Sequence, residues 1–126
     1  MNFEKVLFGF FVLLALTLNF GFVMGEIDNP DHHHAYELFA ALVVSMVATI
    51  MKLGDRAHMG AVLLAASLVA DLQLIAAAFV WGYSVHISQT FDGTTMASIV
   101  SLSGGALLAN FASVVLLVVE TSNMRR

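Results

Sequence analysis

From Met59 to Val85 the chain runs MGAVLLAASLVADLQLIAAAFVWGYSV, and Asp71, near the middle, is its only acidic or basic residue. About 20 apolar residues in a helix cross the hydrocarbon core of a bilayer, so this stretch is predicted to span a membrane. Asp71 then lies near the bilayer centre, where an aspartate costs roughly 2.5–3.5 kcal/mol on insertion scales. Such a residue is expected to face protein or water and not lipid. Gln73 points about 200° away around the helix, and Ser67 precedes Asp71 by one turn on the same face. A helix that is polar on two sides needs neighbouring helices.

The rest of the chain supplies them. Only 11% of its 126 residues are charged and 60% are hydrophobic, against about 25% charged for a soluble domain. With no cysteine, disulfides and thiolate metal sites are excluded. No stretch is rich in Lys and Arg, so no nucleic-acid partner is expected. The predicted helices cover about 5–25, 30–53, 56–85 and 95–120 within one integral membrane domain, 1–126. Val6 to Met24 is longer than the apolar core of a signal peptide, and Val23-Met24-Gly25 is a poor cleavage site, so this segment is expected to stay as the first span. Asn29-Pro30 has the form of a helix N-cap with proline at the first helical position. Lys52-Leu53-Gly54-Asp55-Arg56 ends the second helix and caps the third, making an antiparallel hairpin. Trp81 and Tyr83 suit an interfacial belt, and Asp92-Gly93 marks a turn.

Small residues recur at helical spacing. Ala41, Ser45 and Thr49 line one face of the second helix, and Gly105, Ala109 and Ser113 one face of the fourth, both suited to close helix packing. The adjacent Gly104-Gly105 pair is compatible with a hinge or with close packing. With four spans, Lys5, Lys52, Arg56, Arg125 and Arg126 fall on one side, while Glu26, Asp28, Asp31 and Asp92 fall on the other. The positive-inside rule then places both termini in the cytoplasm. The predicted fold is all-α, a four-helix transmembrane bundle. Its small faces on helices two and four point to a homo-oligomer.

Two groups of residues are candidates for a site. Counting along each helix from its midpoint puts Asp71, Asn110 and Ser45 within about 5 Å of one depth, with Asn19 roughly 6 Å further out. A polar cluster of Asp71, Asn110, Asn19, Gln73 and Ser67 is therefore possible, either as an ion path or as a hydrogen-bonded knot between helices. The second group is on the outer side, in Asp28, Asp31, His32, His33, His34 and Glu37. His33 and Glu37 stand i, i+4 and could share a divalent ion such as zinc, with His34 or Asp31 nearby. A solvated helix start explains the same residues. His58 and His86 fit headgroup depth. No nucleophile, base and orienter constellation is visible, so neither enzymatic activity nor an organic cofactor is expected.

The stretches TLNFGFVMGEIDNP, AYELFAALVV, KLGDR and LVADLQLIAAAFVWGY resemble those of a family of small bacterial inner-membrane proteins of unknown function. That resemblance implies four spans and no particular activity. Separately, GGALLANFASVVLLVVE is similar to the inner helix of two-helix cation channels, but Ser84 to Thr95 lacks the Thr-Val-Gly-Tyr-Gly filter whose carbonyls select the ion.

Two functions are compatible with these residues. One is an ion-conducting assembly, for cations, with Asp71 in the path and acidic outer loops concentrating cations at its mouth. The other is a non-conducting accessory or scaffold subunit bound to a larger membrane protein, with Asp71 structural.

Overall fold

The computed structural model describes residues 3–24, 34–53, 60–89 and 91–124. They form four helices, α1 (Phe3–Val23), α2 (Ala35–Leu53), α3 (Gly60–His86) and α4 (Gly93–Met124), with no strand among the described residues. All four are long and apolar enough to cross a membrane, and the chain is a multi-pass membrane protein on that ground. The helices are apolar nearly all round, as they must be where one side meets neighbours and the other meets lipid. Large side chains such as Leu72, Phe79 and Leu108 stand on the outside of the bundle.

Helix ends differ from the sequence expectation at several points, and α1 covers 3–23 where 5–25 was expected. α2 covers Ala35–Leu53, and the His34 carbonyl accepts the N–H groups of Glu37 (3.1 Å) and Leu38 (3.4 Å) at its start. The Asn29-Pro30 cap lies outside the described residues, as do Gly54, Asp55, Arg56 and His58 of the expected α2–α3 turn. α4 starts at Gly93, two residues before expectation, and continues to Met124. Asp92 is its N-cap: Oδ1 accepts the Thr95 N–H at 2.9 Å, and the Asp92 carbonyl accepts the Met96 N–H at 3.0 Å. The Asp92-Gly93 pair thus opens a helix where a turn was expected. At the end of α3 the N–H groups of Ile87 and Ser88 both donate to the Tyr83 carbonyl, at 2.9 and 3.0 Å. Gln89, at φ 54°, then turns the chain towards α4.

The helices form a ring in chain order, with α1 against α2 and α4, and α3 against α2 and α4. One apolar cluster joins Phe22, Leu38, Leu74, Ala77, Met96 and Ile99, and the other joins Phe8, Val12, Ala48 and Leu63. Each cluster combines the end of one helix with the beginning of the next, so neighbouring helices are antiparallel. Gly9 faces Leu117, and Asn19 reaches Leu107. Ten residues forward on α1 therefore match ten back on α4. The clusters close at either end on aromatic rings: Trp81 sits between Phe22 (6.2 Å between centroids) and Phe91 (4.8 Å, edge to face). At the opposite end the buried Lys52 holds its ammonium 5.5 Å from the Phe8 ring centroid, at the negative end of the α2 dipole.

Ala41, Ser45 and Thr49 are buried inside this ring, and so is Ser113, while Gly105 faces Gln73. The small faces expected to receive other subunits are occupied by the chain's own helices. Close approach of antiparallel neighbours uses them up.

The Asp92 cap gives a pH-dependent helix end. The Thr95 backbone N–H, and then its side chain, hold the Asp92 carboxyl below its usual value. A depressed folded value stabilises at pH above the unfolded value, about 3.9, and the contribution is lost as pH falls through the lower, folded one. Amide exchange in the first turn of α4 is expected to accelerate as pH falls below 4 relative to Asp92→Asn, after correction for intrinsic rates. Identical pH profiles for the two proteins would contradict this.

Candidate functional site

Asp71 is buried, at 8% exposure, and both its carboxylate oxygens are occupied. The Ser45 hydroxyl donates to Oδ1 at 2.6 Å and the Thr49 hydroxyl to Oδ2 at 2.5 Å. The two donors stand i, i+4 on α2, one above the other on a single face, at the spacing that lets one carboxylate bridge them. The Thr49 oxygen also lies 3.0 Å from the Ser45 carbonyl. Its single proton cannot serve both acceptors fully, and the shorter, charge-assisted contact to Asp71 is the stronger. The result is a two-pronged clamp between α2 and α3.

Asp71 and the four residues expected around it do not form one cluster. Asp71 bonds to α2, and Asn19 and Asn110 meet on the far side of the ring. The Asn19 amide, oriented to satisfy its surroundings, donates to the Ser103 carbonyl and accepts from the Leu107 N–H and the Asn110 amide, each at 3.0 Å. Asn19 is fully buried, so each of these bonds matters to an α1–α4 contact in apolar surroundings. Gln73 turns to α4, where its amide lies directly over Gly105; its Oε1 is buried with no hydrogen-bond partner. Ser67 is buried one turn before Asp71. Across the remaining seam, α1–α2, the Glu37 carboxylate lies over Gly21. Any side-chain carbon at Gly21 or Gly105 would collide with the polar group lying there.

Of the expected metal ligands, Asp31 and His33 lie outside the described residues, with Asp28 and His32. His34 is exposed at the head of α2, whereas Glu37 turns inward to α1. The two are not brought together, and no group of three or more His, Asp or Glu side chains that could hold a metal occurs among the described residues. His86 is exposed at the last residue of α3.

Sequence reasoning singled out Asp71 but missed its partners. Ser45 is at the right depth, and the short α2–α3 connection makes α2 an adjacent, antiparallel neighbour of α3. Those two signals together would have found the clamp.

The clamp predicts a non-additive response. Ser45→Ala and Thr49→Val should each cost about 0.5–1.7 kcal/mol, the range of interhelical hydrogen bonds in membranes. The double variant should cost more than their sum, because it leaves a buried carboxylate with no donor. Thermal unfolding in detergent measures both, and strict additivity would show that the carboxylate finds water or another partner.

Residues 32–121 match the model of a family described as a family of unknown function, DUF6394. No curated protein and no solved structure matches the chain. The family match covers well over half of the 126 residues, and the chain belongs to DUF6394.

Proposed function

We propose that this DUF6394 protein is a non-conducting, non-enzymatic membrane subunit that acts by binding a larger membrane protein. The observation that supports this most is the use of both Asp71 oxygens by Ser45 and Thr49. A carboxylate whose acceptor sites are filled from the neighbouring helix is suited to holding helices together. An ion path needs the same atoms free to exchange ligands. The positions of Asn19, Gln73 and Glu37 on the other three seams fit the same role. Association with other proteins then falls to the outer, lipid-facing surface.

We place the protein in the bacterial inner membrane with both termini cytoplasmic. The location rests on the resemblance of its sequence to small inner-membrane proteins, the orientation on all five Lys and Arg residues lying on one side of a four-span chain. Homo-oligomers remain compatible with this role, through the outer surface and not the small faces of α2 and α4.

A second reading, cation translocation through an assembly, has one observation in its favour: a carboxylate with two hydroxyls at mid-span is oxygen chemistry of the kind that marks ion pathways. Flux separates the two. Proteoliposomes of the wild-type protein are expected to leak protons, Na⁺ and K⁺ no faster than empty vesicles, and Asp71→Asn is expected to lower the unfolding temperature only. A crosslinked, stoichiometric membrane partner from native membranes would support the subunit reading. Cation flux that Asp71→Asn abolishes, with the assembly intact, would overturn it in favour of translocation.

A further inference from the structure

Gly104 and Gly105 stand together inside α4, and their surroundings differ. Close packing accounts for Gly105, where a side-chain carbon would run into the Gln73 amide. At Gly104 a side-chain carbon would meet nothing within 4 Å. Glycine is the poorest helix former after proline, and contacts within the chain give no reason for one here.

Asn19 points to the reason. In a continuous helix the Leu107 N–H donates to the Ser103 carbonyl, and that turn contains both glycines. The Asn19 amide reaches both ends of this one backbone bond: it donates to the Ser103 carbonyl and accepts from the Leu107 N–H, each at 3.0 Å. When the turn opens, these two backbone groups keep a partner, which removes part of the cost of breaking a helix in hydrocarbon. An apolar residue at 19 would offer neither bond. Asn110 holds the Asn19 oxygen from one turn further along, at 3.0 Å, so the amide stays aimed at the turn.

We infer that α4 hinges at Gly104-Gly105, with the Asn19 side chain of α1 taking over the Ser103–Leu107 hydrogen bond as the turn opens. The segment that swings begins at Leu107. Next to it lies a groove of about 560 Å³ between α1 and α4, lined by Leu16, Thr17, Phe20, Leu107, Leu108 and Phe111. Its one hydroxyl, on Thr17, is turned back to the Leu14 carbonyl at 3.0 Å. Among these wall residues, therefore, no side-chain polar group is left free as the groove widens. The hinge controls the width of this groove.

The test uses the full chain in nanodiscs. Because the protein has no cysteine, spin labels can be placed at Ile50→Cys and Val118→Cys, both exposed, to follow the swinging half of α4. A second pair, Phe39→Cys and Ser98→Cys, follows the fixed half. The first pair is expected to give a broad or two-component distance distribution and the second a single narrow one. Gly104→Ala touches no other atom and should narrow the first distribution to one component, while slowing amide exchange at Leu107 roughly fivefold. Asn19→Leu should narrow it as well. A first pair already narrow in the native protein, and unchanged in Gly104→Ala, would overturn the hinge. So would a Gly104→Ala protein that leaves the distances alone but splits an oligomer, because Gly104 would then be a contact position.

Discussion

Hydrocarbon offers no hydrogen-bond partners, so every polar atom carried into it must find one in the protein. Most of the polar interior of this bundle follows from that constraint, with Gln73 Oε1 and Ser103 Oγ the buried side-chain atoms left without a partner among the described residues. Asp71 meets two hydroxyls of α2, and Asn19 meets the backbone and Asn110 of α4. Glu37 and Gln73 lie over glycines on the adjoining helices. Each of the four seams thus carries at least one polar side chain. Apolar packing at the two ends brings the helices together without distinguishing one alignment from another, since lipid is as apolar as leucine. The polar contacts supply that distinction.

The two hydrogen-bonded junctions differ in kind. On the α2–α3 seam the bonds run between side chains, and a carboxylate with both oxygens occupied resists rearrangement. On the α1–α4 seam a side-chain amide bonds to backbone groups that already have a helical partner. The first junction holds two helices in place, and the second allows one of them to change shape without unpaired groups. One half of the ring is clamped and the other is free to bend. This division suits a subunit that presents a fixed side and an adjustable side within the plane of the membrane.

Much of this architecture could be deduced from the residues alone. Four apolar runs and the single charge in Met59 to Val85 require four helices that enclose Asp71. The partners of Asp71 were harder to find, because Ser45 and Thr49 fit a small-residue packing face as well as they fit a hydroxyl pair. Spacing alone does not separate those uses. Asn19 was misplaced for another reason. Depth counted from helix midpoints assumes helices of matching length, but α4 has 32 residues and α1 has 21. With Asn19 level with Leu107, α4 overhangs the end of α1, and the midpoints do not coincide. For the start of α2, Asn29-Pro30 is the local signal in the sequence, and it lies outside the described residues. Backbone acceptance by His34 left no trace in the sequence.

The spacing of the α2 hydroxyls has a bearing on alignment. Sliding α2 by one turn along α3 would bring Ser45 to where Thr49 stands, with Ala41 in the place of Ser45, or Thr49 to where Ser45 stands, with Leu53 in the place of Thr49. Either slip moves Leu38 out of its buried place and leaves one oxygen of Asp71 bare, so the register of this hairpin is set by that packing together with a count of donors against lone pairs.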